Sequence, residues 1–475
     1  MTRVIPHPSR RRLERRGLRL WPVGLALGVT FTTAVLVAAS VFFTGWGLLD
    51  AHGLKPERRI DSSTLFDLVK LSFGVVAGAG ALVALVVAYR RQRVDEDGAL
   101  REATRLHTER FTTAVSQLGA ESPAVRLGGV HALAGLADDA PTRALRQTCI
   151  DVLCAYLRLP YTAEGDLPPG IPEARHTYRA LREVRHTVIR LVRDHLRLQR
   201  EHQHSWQGHD FDFTGVVFDG GDFSRADFGD SAARFTGATF AGDITFAGAR
   251  FASGGTTDFT HTVFATGAAD FGGSAFSGGV ADFTGAEFRG GTVYFSGCVF
   301  TGGTVLFHGA RFTGGTVSFS STPSSTASAD TEFSGATVDF GDAAFSAGRV
   351  VLDRVTVSRG LVTFAGAEFS GTRVGFDGTR FSGGTVNFTD TVFSAGTVKF
   401  TRTVFAGGTV AFDNAAFIGT LVDFGRRTVS GGTLDFTGAR GTAPAGLLPS
   451  GGPQSPWPTG LTVPSVWRRT TPQSP

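Results

Sequence analysis

Seven arginines are the residues in this chain best spaced for binding chemistry. Arg175, Arg179, Arg182, Arg190, Arg193, Arg197 and Arg200 recur at helical intervals, with His186 filling the gap. A helix from Glu173 to about His204 would hold them on one face. Such a stripe can rest on anionic lipid headgroups or on nucleic-acid phosphate. A solvated face, partly paired with Asp and Glu, is the simpler reading. Lipid is favoured over nucleic acid because apolar segments lie close by. Leu181, Val184, Val188, Leu191 and His195 mark another face. His202, His204 and His209 cluster beside Asp210, but at a helix end and without cysteine partners, so no metal centre is expected. Cys149 and Cys154 are five apart on a helix, which is not metal spacing. Asp222, Asp227, Asp270, Asp282, Asp339, Asp423 and Asp435 each precede a Phe and read as a solvated outer face. There is no phosphate-cradling Gly-rich loop with Lys, no nucleophile elbow and no His/Cys pair, so the chain reads as non-enzymatic, with no cofactor.

The element that must position these residues is a repeat. Phe271, Phe283, Phe295, Phe307 and Phe319 recur every twelve residues, and Phe276, Phe288, Phe300 and Phe312 follow the first four by five. The same beat returns with Phe376, Phe388, Phe400 and Phe412. A short repeat with one large apolar residue at a fixed place predicts a solenoid whose units bury that residue only by stacking. Side chains alternate in extended chain, so Ala286 with Phe288, and Val293 with Phe295, point inward. Glu287, Arg289, Thr292, Tyr294 and Ser296 then point outward. Gly290-Gly291-Thr292 is a corner, where glycine supplies the required backbone angles. Two faces would make a 12-residue coil and four a 24-residue coil; room for paired Phe columns favours 24. The beat predicts about nine coils, and each buried Phe stabilises by up to ~3 kcal/mol. Leu352, Val357 and Val429 stand in phase for Phe. The step from Phe319 to Phe333 is fourteen residues, so an insertion at Ser320–Asp330 reads as a corner loop.

Val216-Val217-Phe218-Asp219-Gly220, Gly221-Asp222-Phe223-Ser224-Arg225 and Ala226-Asp227-Phe228-Gly229-Asp230 resemble the units of the pentapeptide-repeat family. The resemblance implies a right-handed quadrilateral β-helix with four units per coil. Some soluble members mimic DNA and bind type II topoisomerases, which would require a strongly acidic rod. The stretches Phe111–Gly119 and Val125–Leu133 resemble a helical juxtamembrane module found ahead of such repeats in bacterial membrane proteins.

The 475 residues exceed one domain, and three cysteines exclude a disulfide scaffold. Residues 1–204 hold 29 Lys and Arg against 20 Asp and Glu, whereas residues 205–440 hold 15 against 22, a charge of −7. Trp21–Leu49 is free of charge and long enough to span a bilayer, and Leu65–Tyr89 follows it as a second span. Arg90, Arg91 and Arg93 after the second span, and the arginines of the first twenty residues, place both termini in the cytoplasm. Each span holds a Gly-x-x-x-Gly, Gly24/Gly28 and Gly74/Gly78, suited to packing within the hairpin or to homodimerisation. Beyond the membrane, helices are expected over Gly98–Gln117, from Ser122-Pro123 to near Ala137, over Thr142–Leu159, and after the Pro160–Pro172 loop.

The expected fold is α+β and multidomain: a transmembrane helical hairpin, a small α-helical module and a right-handed quadrilateral β-helix. Its segments are a basic N-terminus (1–20), two transmembrane helices (21–90), a cytoplasmic helical module (91–204), the β-helix (205–440) and a disordered Pro/Gly/Ser-rich tail (441–475) whose Leu447 and Leu448 cover the last coil. The expected role is a protein-interaction scaffold on the cytoplasmic side of the bacterial inner membrane, its partners the bilayer and an unidentified protein. The alternatives are a DNA-mimicking modulator of a type II topoisomerase and a homo-oligomeric structural membrane protein.

Overall fold

A computed structural model describes residues 61–229, 231–251, 256–320, 330–448 and 459–468, with isolated helical positions between 28 and 47. The chain divides into two compact units, Met1–Arg105 and Leu106–Pro475. Most of the first expected span lies outside the described residues, as does Gly24. The second span lies within helix α1, Ser62–Leu118. Among the described residues α1 is the one helix long and apolar enough to cross a membrane, and Phe66, Leu71, Phe73 and Val76 along it are exposed. No described heavy atom lies within 4 Å of where a Cβ would stand at Gly28, Gly74 or Gly78. The helix expected to begin at Gly98 is instead a continuation of α1. One glycine costs only about 1 kcal/mol, and the flanking turns carry helix-supporting pairs, Gln92 with Glu96 and Arg105 with Glu102.

In the second unit, α2 (Pro123–Asp138), α3 (Arg143–Arg158) and α4 (Pro172–Arg197) pack around Val130, Leu133, Ile150, Leu153, Val188 and Val192. Pro123 opens α2 as expected, but the Ser122 hydroxyl caps nothing; the ring's fixed φ already favours the first turn. Thr142 does cap α3, accepting from the Leu145 N–H at 3.3 Å. Gly129 is the close crossing of this module, because a Cβ there would lie 2.6 Å from the Leu118 backbone nitrogen. Helix α4 ends at Arg197, short of His204. The chain then turns so that Trp206 is fully buried, stacked on His195 at 4.1 Å.

From Phe211 the chain is a parallel β-solenoid of about ten turns. Phe276 pairs with Phe300, and Thr292 with Thr316, so the coil is 24 residues. Pairings across the insertion, such as Phe312 with Phe345, span nine more and then return to 24. The 24-residue period splits the twelve-residue Phe series into alternate columns. Phe259, Phe283, Phe307, Phe340 and Phe364 stack at 4.6 to 4.8 Å, the spacing of neighbouring strands. Phe271, Phe295 and Phe319 form the next column at 4.9 to 5.0 Å and meet the first edge to face. All thirteen Phe of the sequence beat are buried, as are Leu352 and Val357. Four short strands make a coil at Thr292–Tyr294, Val299–Thr301, Thr304–Leu306 and Arg311–Phe312. In later coils they fuse in pairs into eight-residue strands such as Glu368–Gly375 and Arg380–Asn387, so the four faces group two by two into two sheets.

Two expectations are corrected. Ser296 points inward: it is buried, and its hydroxyl donates to the Ser320 carbonyl at 2.5 Å, beside the coil from which the insertion departs. The insertion's residues 321–329 lie outside the described residues. The tail is not disordered throughout. Leu461–Thr462 adds a parallel strand to Leu434-Asp435, and the turn α5, Ser465–Arg468, buries Trp467 against Phe417 and Phe436 at 5.7 and 5.6 Å. Leu447 is buried at this end, as expected. The last coil would otherwise present unpaired backbone and Phe edges to water.

Candidate functional site

The basic stripe does not form one open face. Arg182 donates to the Asp219 carboxylate at 3.1 Å. Arg193 pairs with Asp194 and Asp222. Arg197 donates to the Ser224 carbonyl at 2.7 Å and to its hydroxyl at 2.6 Å. These three therefore tie α4 to the first coil, where Asp219, Asp222 and Ser224 accept from them. Arg190 donates to the Thr187 hydroxyl at 3.3 Å. Arg175 and Arg179 line a hollow of about 340 Å3 with Pro168 and Pro172, and Arg200 lies in the turn beyond the helix.

The centre of this junction is Asp219, whose side chain is 5% exposed. It accepts from the Tyr161 and Tyr178 hydroxyls at 2.7 and 2.8 Å, from Arg182, and lies 3.2 Å from His186 Nε2. Burial pushes its carboxyl up, but the bonds from His186, Tyr161 and Tyr178 outweigh this and hold it well below the usual range. The same burial and the bond to Asp219 push the Tyr178 hydroxyl up to about 12. Arg185, which the sequence pattern did not mark, is buried and donates to the Leu157 and Val217 carbonyls at 2.7 and 2.6 Å. Its guanidinium stacks on Tyr161 at 4.1 Å. These contacts make a structural clamp between α4 and the first coil.

The histidines are drawn apart. His209 is buried with Nδ1 3.0 Å from Gln147 Oε1, and burial with the nearby Arg143 and Arg146 lowers its pKa to about 4. His202 and His204 meet edge to face, with ring centroids 5.4 Å apart. Among the described residues no His/Cys/Asp/Glu group is arranged to hold a metal. Cys149 and Cys154 are buried, and burial raises their thiols to about 11 and about 12.

All seven outward aspartates share one local task. Each accepts from the backbone N–H two residues on, across the following Phe, at 2.7 to 3.0 Å. The bond steadies a corner turn in which the residue two after the Phe has positive φ and the next N–H returns to the Phe carbonyl, as from Ala286 to Phe283 at 3.0 Å. These corners form two columns. In one, the positive-φ place is held by Gly285, Gly309, Asp342, Gly366, Asp390 and Asn414; in the other by Gly297, Arg354, Gly378, Arg402 and Arg426.

The second column borders the concavity with the most varied chemistry, a recess of about 830 Å3 on the side of the rod. Thr316, Ser318, Ser320 and Gly378 line it, with Tyr294 at one side and Arg349, Arg354 and Arg402 at the other. Arg402 makes a forked pair with Asp377, with Nε to Oδ1 at 2.9 Å. Asp353 accepts from the Asp377 N–H at 2.8 Å. Burial, with Asp377 nearby, pushes the Asp353 carboxyl up, while the bond to Arg402 holds Asp377 low. The recess can orient an anionic group; its two carboxylates are engaged in holding the coil and the arginine.

The family model described as pentapeptide repeats (9 copies) matches residues 213–254 and 278–323. No curated protein and no solved structure matches the chain significantly. The matched segments lie within the solenoid, where pairings such as Val217 with Thr239 and Thr292 with Thr316 set the coils. The chain thus carries pentapeptide repeats over these segments, within a parallel β-solenoid that follows a helical N-terminal region.

Proposed function

We propose that this chain is a membrane-anchored scaffold that is not an enzyme, holding its rod on the cytoplasmic side and docking a protein partner along the rod's side faces. The observation that carries this reading is that both ends of the rod are covered by its own chain: α4 and its arginines lie on the first coil, and Leu461 and Trp467 cover the last. Capped solenoids do not grow end to end, so the long sides are the surface left for contacts. The outer aspartates, being engaged in corner turns, support a non-catalytic reading. The apolar, exposed α1 supports the anchor. The DNA-mimic alternative draws no support from a side face rich in arginine. Crosslinking in intact membranes followed by mass spectrometry tests the proposal. Reproducible crosslinks from the rod to one cytoplasmic protein are expected. Self-crosslinks alone would favour the homo-oligomeric alternative, and labelling of the rod from outside the cell would overturn the topology.

A further inference from the structure

We infer that the 830 Å3 recess on the rod binds a phosphate-bearing anion through Arg349, Arg354 and Arg402. This is independent of the scaffold reading. The first observation is charge. The rod carries −7, yet this side gathers Arg349, Arg354, Arg373, Lys399, Arg402 and Arg426 against Asp353, Asp377 and Asp423. Arg349 and Arg373 are in-register neighbours on adjacent strands, and Val350 and Val374 between strand ends point inward, so both arginines face out. Like charges stacked this way repel, and a bound anion relieves the repulsion.

The second observation is backbone strain, and it is independent of charge. Of the recess arginines, Arg354 and Arg402 have φ of 59° and 57°, in the left-handed region that side chains with a Cβ rarely adopt. In the other corner column, over the same coils, that place holds Gly, Asp or Asn, residues with a physical reason to be there. Arginine has none. Strain of this kind, kept at a concave surface, marks a functional position. Arginine's planar fork suits phosphate, and the forked pair with Asp377 fixes the direction of Arg402 in advance. The floor's carboxylates are engaged: Asp377 pairs with Arg402, and Asp353 accepts from the Asp377 N–H.

The test is calorimetric titration of the full chain in zwitterionic nanodiscs with inorganic pyrophosphate and, separately, with glycerol 3-phosphate, a lipid-headgroup fragment. Saturable binding is expected, weakened by added salt, and reduced about tenfold by Arg349→Ala and by Arg354→Gly. Arg354→Gly removes the strained residue, so its Tm should rise while binding falls, which separates loss of a ligand group from loss of fold. Tighter binding of pyrophosphate supports the site with a soluble phosphate ligand; tighter binding of glycerol 3-phosphate supports it with a headgroup. Binding of neither probe, or binding unchanged in Arg354→Gly, overturns the inference.

Discussion

Phe307→Ala tests the stacked core at its most regular point. Phe307 is fully buried. Its ring lies 4.8 Å from Phe283 and 4.7 Å from Phe340, stacked nearly parallel to both, and meets Phe295 edge to face at 5.9 Å. Truncating a buried Phe costs about 3–5 kcal/mol. Each aromatic pair adds about 0.5–1.5 kcal/mol beyond area, so about 5 kcal/mol is expected locally. Phe307→Leu should cost much less, about 1–2 kcal/mol, for a shape change that keeps most of the volume. The chain already accepts Leu at such a place, since Leu352 is buried in the column below Phe376. A solenoid's coils depend chiefly on their neighbours. Hydrogen exchange by mass spectrometry on the full chain should therefore show lost protection around 280–320 and 337–345, with peptides over 400–436 little changed. Equal effects of Ala and Leu would refute the role given to ring stacking, and uniform loss along the whole rod would refute the nearest-neighbour account.

Three further outcomes are expected. Asp282→Ala should cost about 1 kcal/mol, the worth of one hydrogen bond, whereas Asp282→Asn should be nearly neutral in denaturant melts, because Asn387 makes the same bond to the Thr389 N–H at 2.9 Å. Trp467→Ala, or truncation before residue 459, should expose Phe417 and Phe436, raise exchange in the last two coils and promote self-association seen by light scattering, while the helical module stays protected. The depressed pKa of His209, about 4 against an unfolded value of 6.5, means the unfolded state binds its proton first. Stability should fall as pH drops from about 6.5 to 4, by up to roughly 3 kcal/mol, and His209→Gln should flatten that limb in pH-dependent melts.

Much of the rod was legible because its signal is redundant. Phe271, Phe283, Phe295 and Phe307 repeat one spacing, and an error at Leu352 or Val429 leaves the phase intact. The α2 and α3 boundaries were legible from Pro123 and Thr142, local residues with local consequences. The continuity of α1 through Gly98 was not, since one weak helix former suggests a break that its neighbours override. The tail misled because Pro and Gly dominate it, while Trp467 and Leu461 acquire meaning only beside an open coil. The stripe on α4 was visible as a pattern, but its partners Asp219, Asp222 and Ser224 belong to another element, so which arginines face protein could not be read from helical spacing.

The sequence by itself determined the beat, the inward Phe columns and the apolar span, because periodicity and hydropathy act between near neighbours and need no partner to be read. The tertiary structure alone decided the 24-residue coil, the closure of both ends, and the recess beneath Arg349, Arg354 and Arg402. Those features join residues one or more coils apart, and a repeat places identical residues at many equivalent heights. Only the stacking register selects which arginines meet, and only the corner geometry reveals that Arg354 and Arg402 sit where the backbone prefers glycine.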